Sequence, residues 1–191
     1  MDGQLGRSLR LRDRARTHIG RSGRGCCPRA MSAFSIRTAT RADFAALVGL
    51  YTESAQYHKR IDAALYRIPE PTAVAEWLNA AFSSADVAIL VAEATDEVIG
   101  FAVIRLAEPA PAASMLHARR GAELDVAVSA AHRHQGVGRA LVEAGCRWAA
   151  SKTCSFLMLN CHVANQAAVR LYESAGFRTL GLLMRRDLDG A

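Results

Sequence analysis

Gly136 and Gly138 stand in the run Arg133-His134-Gln135-Gly136-Val137-Gly138-Arg139, whose residue types suit the binding of phosphate. A helix that starts at Gly136 leaves its first N–H groups without carbonyl partners, and the aligned peptide dipoles place partial positive charge there. Glycine lets a diphosphate approach the backbone, and Arg133 and Arg139 are placed to neutralise it from either side. His134 lies where partial protonation would add to that attraction near neutral pH. By itself the glycine pair also fits a plain loop before a surface helix. Two phosphate motifs fail on residues. A Walker loop needs Gly-Lys followed by Ser or Thr, whereas Gly138 is followed by Arg139 and Ala140. A dinucleotide fingerprint needs a third small residue where Leu141 stands, and an acid roughly 20 positions on. Glu143 to Glu173 encloses no Asp or Glu.

The elements that must position this loop are legible on both sides. Glu123 to Ser129 alternates, with Leu124, Val126 and Val128 on one face and Glu123, Asp125 and Ala127 on the other, which predicts a half-buried strand. From Gly136 onward Val137, Ala140, Leu141, Ala144 and Trp148 recur at helical spacing. Upstream, Phe34 to Ala39 reads as a strand, Thr40 as the N-cap of a helix carrying Phe44, Leu47, Val48 and Tyr51 on one face, and Gln56 to Pro71 as an irregular polar connection. Thr72 to Phe82 reads as a second helix. Asp86 to Ala94 and Val98 to Leu106 read as strands of a hairpin turning at Thr95-Asp96-Glu97. Glu108 to Arg120, with Pro109 and Pro111, must be a loop. Downstream, the pattern predicts a strand over Phe156 to His162, a helix over Asn165 to Ala175 stopped by Gly176, and a strand over Arg178 to Leu188.

The Arg133 to Gly138 run resembles the Arg/Gln-x-x-Gly-x-Gly/Ala signature of the GNAT acetyltransferase superfamily. A second motif follows at the expected distance: Asn165, Ala168, Leu171, Tyr172, Gly176 and Phe177 are similar to the family's Asn-x-x-Ala-x-x-Leu-Tyr-x-x-x-Gly-Phe. The likeness extends from an opening strand at Ser35-Ile36-Arg37-Thr38-Ala39-Thr40 to Met184-Arg185-Arg186-Asp187-Leu188, about 155 residues. It implies an α/β (α+β) fold of order β-α-α-β-β-β-α-β-α-β, with a mixed, mostly antiparallel central sheet flanked by helices.

The resemblance also implies a chemistry, transfer of an acetyl group from acetyl-CoA to a primary amine of a small molecule or a protein. In the family the loop amides, here Arg133, His134, Gln135, Gly136, Val137, Gly138 and Arg139, hold the pyrophosphate. A bulge near Val126, Ala127 and Val128 would free a backbone N–H for the acyl oxygen and the pantetheine arm. Asn165 lies near the coenzyme in the family, and asparagine is equally a favoured N-cap. Tyr172 matches the tyrosine that returns a proton to the leaving thiolate; a core tyrosine is the bland alternative. The family's usual glutamate aligns with Leu124, so Glu123 and Asp125 flank the expected place of the base. Asp125 is the better placed, while both also suit a solvated face. The region between the first two helices, Gln56 to Pro71, lines the acceptor pocket in such folds.

Composition bounds what else the chain does. Residues 1–30 hold eight arginines and two aspartates, a local +6 that equals the charge of the whole chain, so residues 31–191 balance 16 basic against 16 acidic side chains. A neutral body argues against a nucleic-acid function, and no apolar run is long enough to cross a membrane. The expected division is a disordered basic extension, residues 1–30, before an acetyltransferase domain, residues 31–191; a targeting segment is the alternative for the extension. Five cysteines, at 26, 27, 146, 154 and 161, form no metal-ligand spacing and no disulfide framework, so a reduced cytoplasmic protein without a metal is expected. Cys161 reads as a core thiol at the end of a buried strand. A homodimer is compatible with all of this. Two other readings remain open: a non-catalytic domain that senses acyl-CoA, and a nucleic-acid-binding protein acting through its basic tail.

Overall fold

The structure is a computed structural model describing residues 34–112, 114–115 and 118–186. The basic extension, Cys26, Cys27 and the last residues of the expected closing strand lie outside the described residues. In chain order the elements are β1 (Ser35–Thr38), α1 (Phe44–Ile61), α2 (Pro71–Ser83), β2 (Val87–Ala94), β3 (Glu97–Ala107), β4 (Gly121–Val128), α3 (Val137–Ser151), β5 (Phe156–Met158) and α4 (Gln166–Ser174). The five strands form one sheet in sequence order, antiparallel except where β4 meets β5 in parallel.

Apolar alternation on both faces of the sheet builds two cores. Ile89, Val91, Phe101, Val103 and Ala127 face Leu47 and Leu50 of α1 and Val74, Leu78 and Ala81 of α2. Leu90, Ala92, Ala102, Ile104, Ala122 and Leu124 face Val137, Leu141, Val142, Ala144 and Ala149 of α3. The hairpin joining β2 to β3 turns on Thr95 and Asp96, both at positive φ (50° and 62°), the backbone that a two-residue turn between twisted strands demands.

One ion cluster ties the first helix to the sheet. Arg37 on β1 donates to both carboxylate oxygens of Asp43 (2.8 Å each) and to Glu93 on β2 (2.9 and 2.8 Å). Asp43, 6% exposed, also accepts from the Thr40 backbone N–H at 2.7 Å in the short 3-10 turn that precedes α1. The Arg37 guanidinium lowers the Asp43 carboxyl to about 2.

Three sequence expectations are corrected. Residues 56–61 belong to α1 rather than to an irregular connection, since nothing between Phe44 and Ile61 breaks a helix; the apolar period fades there because the inward side chains are Tyr57 and His58. β5 ends at Met158, so Leu159 to His162 run on without a strand partner and Cys161 is exposed rather than a core thiol. Residues 178–186 form no strand, and Leu180, Leu182, Leu183 and Met184 stand exposed: apolar content signals a strand only where a neighbour supplies the ladder.

Candidate active site

β4 outruns its partner. Its parallel pairing with β5 ends at Glu123 and Met158, while β4 itself continues to Val128. Its ladder with β3 is continuous from Gly121↔Ala107 to Val128↔Gly100, so the expected bulge at Val126 to Val128 is absent; the register shift in this sheet lies at Ala92/Glu93 of β2. Backbone groups are freed by another route. The Ser129 N–H donates to the Ile99 carbonyl (2.9 Å), which sets the alternation of the antiparallel ladder. Odd-numbered positions of β4 therefore bond to β3 and even-numbered ones face β5; beyond the last pair with Met158 the N–H and C=O groups of Val126 and Val128 point into the gap that β5 leaves. Splayed strands take the place of the bulge in exposing the same segment.

The gap opens toward the loop between β4 and α3. Gly136 is the N-cap of α3 in a left-handed conformation (φ 86°), and a Cβ there would meet nothing within 4 Å. His134 is also left-handed (φ 61°), so the chain turns sharply twice before α3 begins. Gly138 has a different task. A Cβ on it would come 3.1 Å from Leu171 Cδ2, so its bare face allows α4 to pack on the first turn of α3.

The two loop arginines are not equivalent either. Arg139 is exposed and pairs with Glu143 one turn on (2.9 Å). Arg133 turns inward: its Nε donates to the Val128 carbonyl (3.2 Å), its guanidinium lies 4.4 Å from the centre of the Tyr57 ring, and Glu53 stands 4.0 Å away. Glu53 also accepts from the Ala130 N–H (2.7 Å). Through Glu53 and Tyr57, helix α1 thus holds both ends of the loop, contacts that sequence spacing gave no sign of. Gln135 donates to the Ala131 carbonyl, and His132, expected to face solvent, is half-buried near Ser129.

Asn165 is buried (8% exposed) and caps α4 by accepting from the Ala168 N–H at 3.3 Å. The same oxygen accepts from the Tyr57 hydroxyl at 3.4 Å, so α4 and α1 meet across the gap. Tyr172 is half-buried, its ring 5.9 Å from that of Phe177. Desolvation first, then the neighbouring Cys161 and Asp125, push its hydroxyl up to about 12. A phenol so placed keeps its proton throughout the neutral range and can act as a donor.

Glu123 and Asp125 lie on the α1/α2 face of β4, half or more exposed, with Arg105 of β3 3.8 and 3.6 Å away. Arg105 in turn lies 5.9 Å from the Trp77 ring. Asp125 is brought within electrostatic reach of Tyr172; Glu123, one pleat further along β4, has no such link. Among the described residues no group of three metal-ligating side chains occurs, and no helix is long and apolar enough to cross a membrane.

Comparison with known proteins matches this architecture. A family model described as the acetyltransferase (GNAT) family matches residues 45–177. A mutant form of the BH1408 protein of Bacillus halodurans superposes with a TM-score of 0.74 at 24% identity, covering 81% of this chain and 99% of its own. The aminoglycoside 6'-N-acetyltransferase AAC(6')-IG of Acinetobacter haemolyticus gives 0.62 at 14% identity, over 81% and 99% of the two chains. AAC(6')-Iy in complex with a bisubstrate analogue, CoA-S-monomethyl-acetylneamine, gives 0.62 at 19%, over 82% and 99%. At such identities the structural likeness establishes the fold: a five-stranded, mostly antiparallel sheet flanked by helices. No curated protein matches the chain in sequence.

Proposed function

Because the chain belongs to the acetyltransferase (GNAT) family, we propose that it moves the acetyl group of acetyl-CoA to a primary amine. The observation that carries the reading is the gap beside β4, with its outward backbone groups at Val126 and Val128, followed in the chain by the left-handed Gly136 at the start of α3. An extended pantetheine arm suits the first and a diphosphate the second. Arg133, His134, Gln135, Gly136, Val137, Gly138 and Arg139 would hold the diphosphate and Val126 and Val128 the arm, with Asn165 near the coenzyme; Ala127, whose backbone bonds to β3 and whose side chain is buried against α1 and α2, only spaces the two. The aminoglycoside acetyltransferases of the same fold support an amine as acceptor.

In the transfer the amine nitrogen attacks the thioester carbonyl, the C–N bond forms, the C–S bond breaks, and the thiolate takes a proton. A β4 amide facing the gap is placed to donate to the carbonyl oxygen as it becomes negative. Tyr172, held protonated, supplies the thiolate's proton. Asp125 receives the proton of the attacking amine in this account, through water, and Glu123 serves to hold Arg105 beside it. Three free cysteines among the described residues accord with a reducing, cytoplasmic setting. The test is an acetyl-CoA turnover screen across amino acids, polyamines, aminoglycosides and peptide N-termini, read by release of free thiol. Turnover with at least one amine class is expected; tight coenzyme binding with no turnover on any of them would favour an acyl-CoA sensor instead.

A further inference from the structure

A second cluster of half-buried side chains borders the transfer centre and has no part in the steps above. Asp62 ends α1, and its Oδ1 accepts from the N–H groups of Ala64 (3.0 Å) and Leu65 (3.1 Å), which fixes the carboxylate. Its Oδ2 lies 3.6 Å from Nε2 of His162, an ion-pair distance when the ring is protonated but longer than a hydrogen bond, so that oxygen can still accept from a further donor. Nδ1 of His162 accepts from the Ala164 N–H (3.1 Å) and holds the ring in place. The Tyr66 ring stands between the imidazoles of His58 (5.1 Å) and His162 (5.9 Å). The cluster adjoins the contact between α1 and α4: the His162 carbonyl accepts from the Asn165 N–H (2.8 Å), and the His58 ring stands 5.8 Å from that of Tyr57, whose hydroxyl meets Asn165.

Ser54, Tyr57, His58 and Asp62 face inward, while Lys59 and Arg60, with Gln56 and Ala63, line a separate hollow, Arg60 also lying 5.9 Å from the centre of the Tyr57 ring. Arg185 reaches the same turn at the Ala64 carbonyl. A fixed, part-exposed carboxylate that can accept a further donor recognises an alkylammonium group by charge-assisted hydrogen bonding.

We propose that Asp62, Tyr66 and His162 form a second-ammonium subsite, which takes a cationic group that the acceptor carries in addition to its reacting amine. The substrate class is then a diamine or polyamine rather than a monoamine. This rests on the amine-transfer reading and narrows it.

The test compares two probes of one length, 1,5-diaminopentane and pentylamine, titrated calorimetrically into the protein–coenzyme A complex. The parent should bind the diamine at least about tenfold more tightly. Asp62→Asn keeps the oxygen that Ala64 and Leu65 need, so the turn survives. It should bring the two probes within about twofold of each other while coenzyme A affinity stays unchanged. Equal affinities in the parent, no detectable binding of either probe, or a preference that persists in Asp62→Asn would each overturn the subsite. Coenzyme A binding, measured first on the same protein, separates this from the broader reading: its absence counts against the proposed function, its presence without a diamine preference only against the subsite.

Discussion

Tyr172 carries the most chemistry per atom in this account. Tyr172→Phe retains the ring and its packing on Phe177 and deletes only the hydroxyl. The proposed proton donation then predicts a fall of about 10²–10⁴ in kcat and in kcat/KM together, with the affinity for coenzyme little changed. Stability and kcat measured on one preparation decide the matter: normal turnover per folded molecule with a lowered Tm would make Tyr172 a packing residue. The place of Tyr172 on α4 was legible, because it stands seven positions after the asparagine that caps that helix. Residue identity was a poorer guide for the glycines. Gly136 and Gly138 look alike in sequence, yet the first sets a left-handed backbone beside open space and the second admits Leu171. Arg133 and Arg139 divide in the same way, one turned in to β4 and α1 and the other held by Glu143.

At the scale of elements, β2, β3, β4, α2 and α3 were legible because each has an apolar face with an uninterrupted period. The end of α1 was not. Tyr57, His58 and Asp62 look inward at polar partners, so the helical face that borders the site lost the very pattern that announces a helix. The start of α1 rests on an ion cluster that joins Arg37 and Asp43, six residues apart, to Glu93 on a strand 56 residues from Arg37, and spacing could not reveal it. Asp43→Asn weakens the two bonds from Arg37 and the one from the Thr40 N–H while Arg37 keeps Glu93, so it should destabilise the domain by about 2 kcal/mol. The pH dependence follows in sign. With its folded value near 2, below the ordinary 3.8, Asp43 contributes stability that is present above pH 3.8 and lost as pH falls through 2. Thermal unfolding followed from pH 5 to pH 2 should show a steeper loss for the parent than for Asp43→Asn. Parallel curves would mean that the cluster contributes nothing to acid stability.

At the scale of the molecule, the two motifs were far more informative than composition. Their order and distance implied a sheet in which β4 delivers the chain to α3 and β5 delivers it to α4; the described fold has that order. The means by which the gap forms was not legible, since strand separation depends on where pairing stops and leaves no residue signature, whereas a bulge was the device the resemblance supplied. The net charge of +6 is likewise uninformative about the body, because residues 1–30 carry all of it. We propose that this segment is an independent extension: deleting residues 1–30 should leave Tm and acetyl-CoA affinity essentially unchanged, and a loss of several degrees would show that it packs on the domain. The central claim is that the gap and the loop at Gly136 hold the coenzyme, and calorimetric titration of acetyl-CoA into the parent, Gly136→Asn and Gly136→Glu tests it most directly. Asparagine tolerates the left-handed backbone, and a Cβ at this position meets no protein atom within 4 Å. The parent should bind, Gly136→Asn should bind within about tenfold of it, and Gly136→Glu should lose binding while remaining folded, because its charge would face the diphosphate. Unchanged affinity in folded Gly136→Glu, or no binding by the parent, would contradict the claim.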